Sequence, residues 1–289
     1  MSLTATTRRL ARALAAAIAL IGASGTASAG SIFLTGHDPD FHALSNPPEN
    51  PAGAQKINQV AISFITDPLF NAFVATAPKF LLVESKGSIP GGHRQGKLGI
   101  GASGYTEGVH FDHHDFTTLN AALDLLGDLG GYSAVVIASD FGGILRQAEL
   151  DILNARSLDI IAFLNAGGGL YAMAESNNGA GLTPTGGHFD FLPFVVSSTA
   201  FNQTETGFTV TAFGASLGLT NSDVNGNFSH NIFTSVPAGL LPVDLDAAGN
   251  VMSVAGRTQL SAPEPNALAL LAPAMLAATL ILRRRRRHA

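Results

Sequence analysis

The sequence predicts an α/β domain in which a mostly parallel sheet is covered by helices on both faces, followed by a β-rich extension. Three observations predict it. Four short runs, 31–35 (SIFLT), 80–85 (FLLVES), 133–140 (SAVVIASD) and 170–176 (LYAMAES), are apolar nearly throughout instead of alternating, which suits strands buried on both faces. The segments between them carry helical spacing. After Gly179 the texture changes to short β-like runs separated by turn residues.

Taken in order, the first strand opens directly into a polar loop, GHDPDFH. Residues 54–66 then place Ile57, Val60, Ala61, Phe64 and Ile65 at helical spacing. The strand at 80–85 is followed by a Gly-rich loop from Gly87 to Gly108. In TTLNAALDLLGDLG, Leu119, Leu123, Leu126 and Leu129 fall roughly on one helical face. Beyond the strand at 133–140, Ile144 to Ala166 reads as one long helix or two shorter ones, and a GGG turn leads into the strand at 170–176. FVVSS, GFTVTAF, LLPVDLD and NVMSVAG supply the far edge of the sheet and an antiparallel extension, with a turn at Ala247 to Asn250.

Composition excludes several functions. Eight of the 16 basic residues lie at the two ends, so residues 30–262 hold 8 basic against 20 acidic residues. A middle of that sign repels phosphate backbones, and nucleic acid is excluded as a partner. With no cysteine there is no disulfide, no thiolate nucleophile and no thiolate metal ligand.

The N-terminus runs from a basic stretch with Arg8, Arg9 and Arg12 through an apolar run, Ala13 to Ile21, to small residues ending at Ala27, Ser28 and Ala29. That order is a secretory signal over residues 1–29, cut by signal peptidase after Ala29, with Ala27 and Ala29 as the small residues it reads. Asn266 to Leu282 is free of charge, near the lower end of membrane-spanning length, and is followed by Arg283, Arg284, Arg285, Arg286 and Arg287. Arginines favour the cytoplasmic side, so this transmembrane helix runs with its C-terminus inside and the domain at 30–260 faces outward.

The triplet Pro263, Glu264 and Pro265, the apolar segment and the terminal arginines together resemble the PEP-CTERM sorting signal, which would make 261–289 a sorting tail. The resemblance implies recognition of the triplet by exosortase, an inner-membrane intermediate, and delivery to the surface or matrix of a Gram-negative bacterium that makes exopolysaccharide. The middle, with its polar-tipped first strand, YSAVVIASDFGG, FLNAGGG and LYAMAES, resembles the class I glutamine amidotransferase-like superfamily, in particular its ThuA-like branch. That implies a flavodoxin-like parallel sheet. The superfamily's nucleophilic cysteine would fall near Glu175 and Ser176, where there is no thiol, so the chain is not a glutamine amidotransferase. Ser176 also lacks the glycines of a GxSxG elbow. His230 lies where the superfamily often carries a late histidine.

Two clusters suit metal chemistry. His37, Asp38, Asp40 and His42 follow the carboxyl end of the first strand, where open α/β sheets bind ligands, and imidazole with carboxylate suits zinc or another divalent ion. This string is distantly similar to the AHPDDE motif of LmbE-like zinc deacetylases, in a different order. The alternative is a polar loop capped by its own aspartates. GVHFDHHDF offers His110 and His113 beside Asp112, His114 and Asp115. Folded as a loop at the same end of the sheet it would complete a site with His37 or Asp40; otherwise Asp115 caps the next helix. DVNGN lacks the glycine and the closing glutamate of a calcium loop. The expectation is an exported surface protein that is non-catalytic or of unproven activity. The rival is a metal-dependent hydrolase or deacetylase acting on extracellular polysaccharide.

Overall fold

The computed structural model describes residues 29–89, 91–140, 142–174, 182, 189–192, 198–200, 206–236 and 238–258. The signal segment up to residue 28, the Pro263 to Pro265 triplet, the apolar run 266–282 and the arginine cluster lie outside the described residues, as do Glu175 and Ser176. No helix among the described residues is long and apolar enough to cross a membrane.

Ten strands form one sheet among these residues: β1 (Gly30–Thr35), β2 (Lys79–Val83), β3 (Phe111–His114), β4 (Tyr132–Ile137), β5 (Gly169–Ala172), β6 (Ser198–Ala200), β7 (Thr209–Val210), β8 (Asn231–Phe233), β9 (Leu240–Leu245) and β10 (Val251–Thr258). The helices are α1 (Pro39–His42), α2 (Pro51–Ile65), α3 (Gly96–Ala102), α4 (Leu119–Leu123), α5 (Gln147–Ala155), α6 (Ser157–Asn165), α7 (Ala212–Ser216) and α8 (Asn221–Val224).

The first five strands are mutually parallel in the order β3-β2-β4-β5-β1. On the outer side of β1, β10 runs antiparallel and carries β9 and β8 in turn.

Alternation along each strand explains why the apolar runs are unbroken. In β1, Ile32 and Leu34 point to one face, with Leu81, Val135 and Leu170, under Leu119, Leu150, Leu153 and Phe163 from α4 to α6. Phe33 points to the other face with Phe80, Leu82, Val136 and Tyr171, under Ile57, Ala61, Phe64 and Ile65 of α2. Both faces are thus covered, and every position along the strand must be apolar. The Tyr171 hydroxyl donates to Asn58 Oδ1 at 3.0 Å, and Asn58 Nδ2 donates to the Pro39 carbonyl at 3.1 Å, so the buried face of α2 holds the start of α1 in place.

Three segments differ from expectation. The Gly-rich loop contains α3, because Gly99 rests on α1: a Cβ there would meet the Asp40 carbonyl oxygen at 1.8 Å, and only glycine lets the two helices approach. GVHFDHHDF folds as edge strand β3 and not as a loop, with Phe111 and His113 inward and Asp112 and His114 half-buried. GFTVTAF divides into β7 and α7, whose start is capped by Thr211 Oγ1 accepting from Gly214 N at 3.1 Å.

Candidate metal centre

The centre lies beyond the carboxyl end of β1. Gly36 ends that strand by donating to the Met252 carbonyl of β10 at 2.7 Å, and its own carbonyl accepts from His230 N at 2.6 Å and Asn231 N at 3.2 Å. Ser229 Oγ donates to the same carbonyl at 2.9 Å. One peptide group therefore fixes two segments that are far apart in sequence, the Asp38 turn and the Ser229–His230 approach to β8.

Pro39 starts α1, and Asp38 occupies the position that normally caps a helix. Its carboxylate does not cap: it accepts no backbone N–H, and Oδ2 has no hydrogen-bond partner. Instead Asp38 Oδ1 faces His42 Nε2 at 3.2 Å, one helical turn away, and His230 Nε2 at 3.4 Å. The candidate ligand atoms of Asp38, His42 and His230 all lie within 4.8 Å of one another, and all three residues are buried. Two ligands bound at about 2.0–2.1 Å in a tetrahedron stand about 3.3 Å apart, so these spacings match the edges of a zinc coordination sphere.

The surroundings orient the triad. Glu49 Oε2 lies 2.8 Å from His42 Nδ1, the carboxylate–imidazole contact that sets the tautomer and aim of metal-binding histidines. Glycine at 142 leaves room for the aspartate, since a Cβ there would meet Asp38 Oδ2 at 2.4 Å. Above the ligands opens a pocket of about 400 Å³, walled by Phe41, Glu49, Gly92, Gly142 and Phe228. Another cavity of about 410 Å³ lies between α4 and α6, where Arg156 already pairs with Asp124 and Asp159. Among the described residues the triad is the one cluster of potential metal ligands, and it lines the first pocket.

Burial disfavours charge on Asp38, but the imidazoles of His230 and His42 outweigh it and hold the carboxyl well below the usual range. Burial likewise opposes the proton on His42, yet Asp38 and Glu49 push it up to about 9. Without metal the centre therefore pairs the Asp38 and Glu49 carboxylates with the His42 imidazolium.

A second layer of polar groups lies deeper. Asp40 accepts from Ser139 N at 2.9 Å and Ser139 Oγ at 2.7 Å, which pins the loop after β4, and burial with the nearby charge of Asp38 raises its carboxyl to about 6. Glu84, just past β2, accepts the Gly96 and Lys97 N–H groups at the start of α3 and the Ile144 N–H at 3.3 Å; burial nonetheless lifts it to about 8. His113 donates from Nε2 to the Glu84 carbonyl at 3.1 Å and is pushed down to about 4 by burial and by Lys86 and Lys97.

These shifts predict how the metal-free protein responds to base. Glu84 and His42 hold their protons more tightly folded than unfolded, so their contributions are full below about 4.5 and 6.5 respectively and are lost as pH rises through about 8 and 9. Urea midpoints of the metal-free protein should fall steadily from pH 6.5 to pH 9. A flat or rising midpoint over that span contradicts the assignment.

Of the residues expected to bind metal, Asp38 and His42 come together and the other four do not join them. His37 turns away, with Nε2 2.8 Å from Asp244 Oδ2 and its ring edge-on to Phe208. Asp40 is committed to Ser139 and His113 to Glu84. His110 precedes β3 at the opposite end of the sheet and accepts from Thr106 N at 2.9 Å. Among the described residues no set of three candidate ligand atoms joins the two clusters. His230, in the sequence only a late histidine, supplies the third candidate ligand. Glu49 left no signal, whereas Glu84, which sequence reasoning missed, has one in being a lone acid at the end of an apolar strand. The chain matches no protein-family model, no curated protein and no solved structure in such comparisons.

Proposed function

We propose that this chain is an exported cell-surface protein whose α/β domain carries a divalent-metal-dependent hydrolytic site, acting on ester or amide groups of extracellular polysaccharide. The observation that carries the reading is the Asp38, His42 and His230 triad at the floor of an open pocket. Three protein ligands with an open position are the pattern of catalytic zinc, whereas structural sites are closed by four. An ion held there supplies Lewis acidity and a water acidified toward neutral pH. The chain's own part is to hold that ion with Asp38, His42 and His230, to aim His42 through Glu49, and to admit a substrate between Phe41 and Phe228.

The amidotransferase-like reading of the fold keeps the parallel sheet with helices on both faces, but the order β3-β2-β4-β5-β1 puts the first strand fifth, unlike the 2-1-3-4-5 order of flavodoxin-like sheets. That likeness carries no catalytic argument in a chain without cysteine. A non-catalytic reading is favoured by one observation, that Asp38 Oδ1 already faces the His42 and His230 imidazoles at 3.2 and 3.4 Å.

Metal content and activity separate the two readings. Full-length protein purified without chelator should hold one zinc or manganese per chain and hydrolyse p-nitrophenyl acetate, with activity lost to EDTA and restored by the metal. Metal-free protein that stays inactive when zinc is added supports the non-catalytic reading. The export half is tested by itself: a reporter active only outside the cytoplasm should work when fused before Pro263 and be silent when fused after Ala289. The reverse pattern rejects the orientation.

A further inference from the structure

The pocket has one cation beside it that the metal chemistry leaves unused. Arg94 lies on the segment that forms one rim, where its N–H donates to the Gly142 carbonyl at 3.0 Å and the neighbouring His93 Nδ1 contacts the Gly143 carbonyl at 2.8 Å. Its guanidinium sits 4.3 Å above the ring of Phe41, a pocket wall, and that ring is 5.1 Å from the ring of the ligand His42. Among the described residues Arg94 has no carboxylate or carbonyl partner for its guanidinium. By contrast Arg156 pairs with Asp124 and Asp159, Arg257 with Asp67, and Arg146 donates to the Ser88 carbonyl. The acids at the pocket are not its partners: Asp38 faces His42 and His230, and Glu49 faces His42. Opposite, Phe228 is 40% exposed and offers an open aromatic face at the mouth.

A guanidinium is a fork of donors matched to the two oxygens of a carboxylate or phosphate. Left unpaired in a domain whose charge is strongly acidic, and stacked where its donors reach past Phe41, it selects anions locally although the surface as a whole repels them. The apolar faces of Phe41 and Phe228 suit the flat face of a ring. Resting on the metal-site reading above, we infer that the substrate carries a carboxylate or phosphate on a ring, held by Arg94 one ring's width from the metal ligands while its hydrolysable bond lies over the triad. Arg94 is thus a specificity-determining residue, and an acyl ester that carries the anion is hydrolysed faster than a neutral one such as p-nitrophenyl acetate.

The test is calorimetric titration of the zinc-loaded full-length protein with D-glucuronate, D-glucose and inorganic phosphate at one ionic strength. Glucuronate should bind at least about ten-fold more tightly than glucose, the factor expected of one charged hydrogen-bonded pair. Arg94→Gln should remove that preference while leaving zinc affinity unchanged, and Arg94→Lys should keep part of it. Arg94-dependent binding of phosphate but not of glucuronate supports the anion site and assigns it to phosphate esters. Equal binding of glucuronate and glucose, with phosphate no tighter in the native protein than in Arg94→Gln, overturns the inference; so does an Arg94→Gln protein that binds the anions as the native one does, which would mean they sit on the zinc alone. If zinc itself does not bind, the hydrolase reading falls, and the same titrations on metal-free protein still decide the matter. Arg94-dependent anion binding then keeps the site, and its absence removes it.

Discussion

Replacing His230 by alanine is expected to abolish zinc binding. His230 is one of three ligands, and Asp38 with His42 alone are a pair one helical turn apart that holds ions weakly. A ligand that binds only the folded state stabilises it by about 2.7 kcal/mol at a hundred times its dissociation constant. For a domain of this size that raises the melting temperature by roughly 5–10 °C. The native protein should show this gain on adding zinc and His230→Ala should show none. The substitution also removes one of two imidazoles facing Asp38, so the metal-free protein loses some stability as well. Asp38→Asn separates the two effects: it too should erase the zinc-dependent gain, while leaving a neutral side chain of similar shape. If either variant still melts higher with zinc, the triad is not the binding site.

A change with no ligand atom at all is expected to be about as damaging. A Cβ on Gly36 would stand 1.9 Å from the Asn231 carbonyl oxygen and 2.8 Å from its carbon, backbone atoms that cannot rotate aside. Gly36→Ala must push the β8 segment off the end of β1, at a cost at the upper end of overpacking effects, about 3 kcal/mol. The hydrogen bonds from His230 N and Asn231 N to Gly36 lie in the same seam, so the displacement carries His230 away from Asp38. The variant should therefore unfold at clearly lower denaturant and bind zinc much more weakly even where it is fully folded. Native stability with native zinc affinity would show that the seam yields without strain. Gly101 provides a control, because nothing lies within 4 Å of the position a Cβ would take there.

The central strands were legible because burial on both faces demands unbroken apolar sequence, and β1, β2, β4 and β5 have it. β3 was not, since FDHH is an edge strand with only one covered side and its polar residues look like a loop. α3 was hidden for a different reason: a helix with three glycines in seven residues contradicts propensity, and it forms because Gly99 packs against the backbone of α1 and because Glu84 accepts its first N–H groups. Half of the metal centre could be read, because Asp38 and His42 are four apart on one turn. The other half could not. His230 joins them through a backbone contact across nearly two hundred residues, and the order that sets β1 beside β5 and β10 leaves no trace in local pattern.

The pairing of β1 with β10 also decides how the domain hangs. Gly30 and Thr258 are register partners at one end of that antiparallel pair, while the triad lies past Thr35 at the other, a strand's length of about 20 Å away. Gly30 and Thr258 thus lie on the same rim. A tether at 266–282 would start eight residues beyond Thr258, a reach of at most about 29 Å. With such a tether the rim carrying Gly30 and Thr258 would face the bilayer, and the pocket would look away from it. Tension on such a tether would load β10 along its length between β1 and β9, in the shear direction where many hydrogen bonds resist together, so the pocket at the far end would keep its shape while the anchor is pulled.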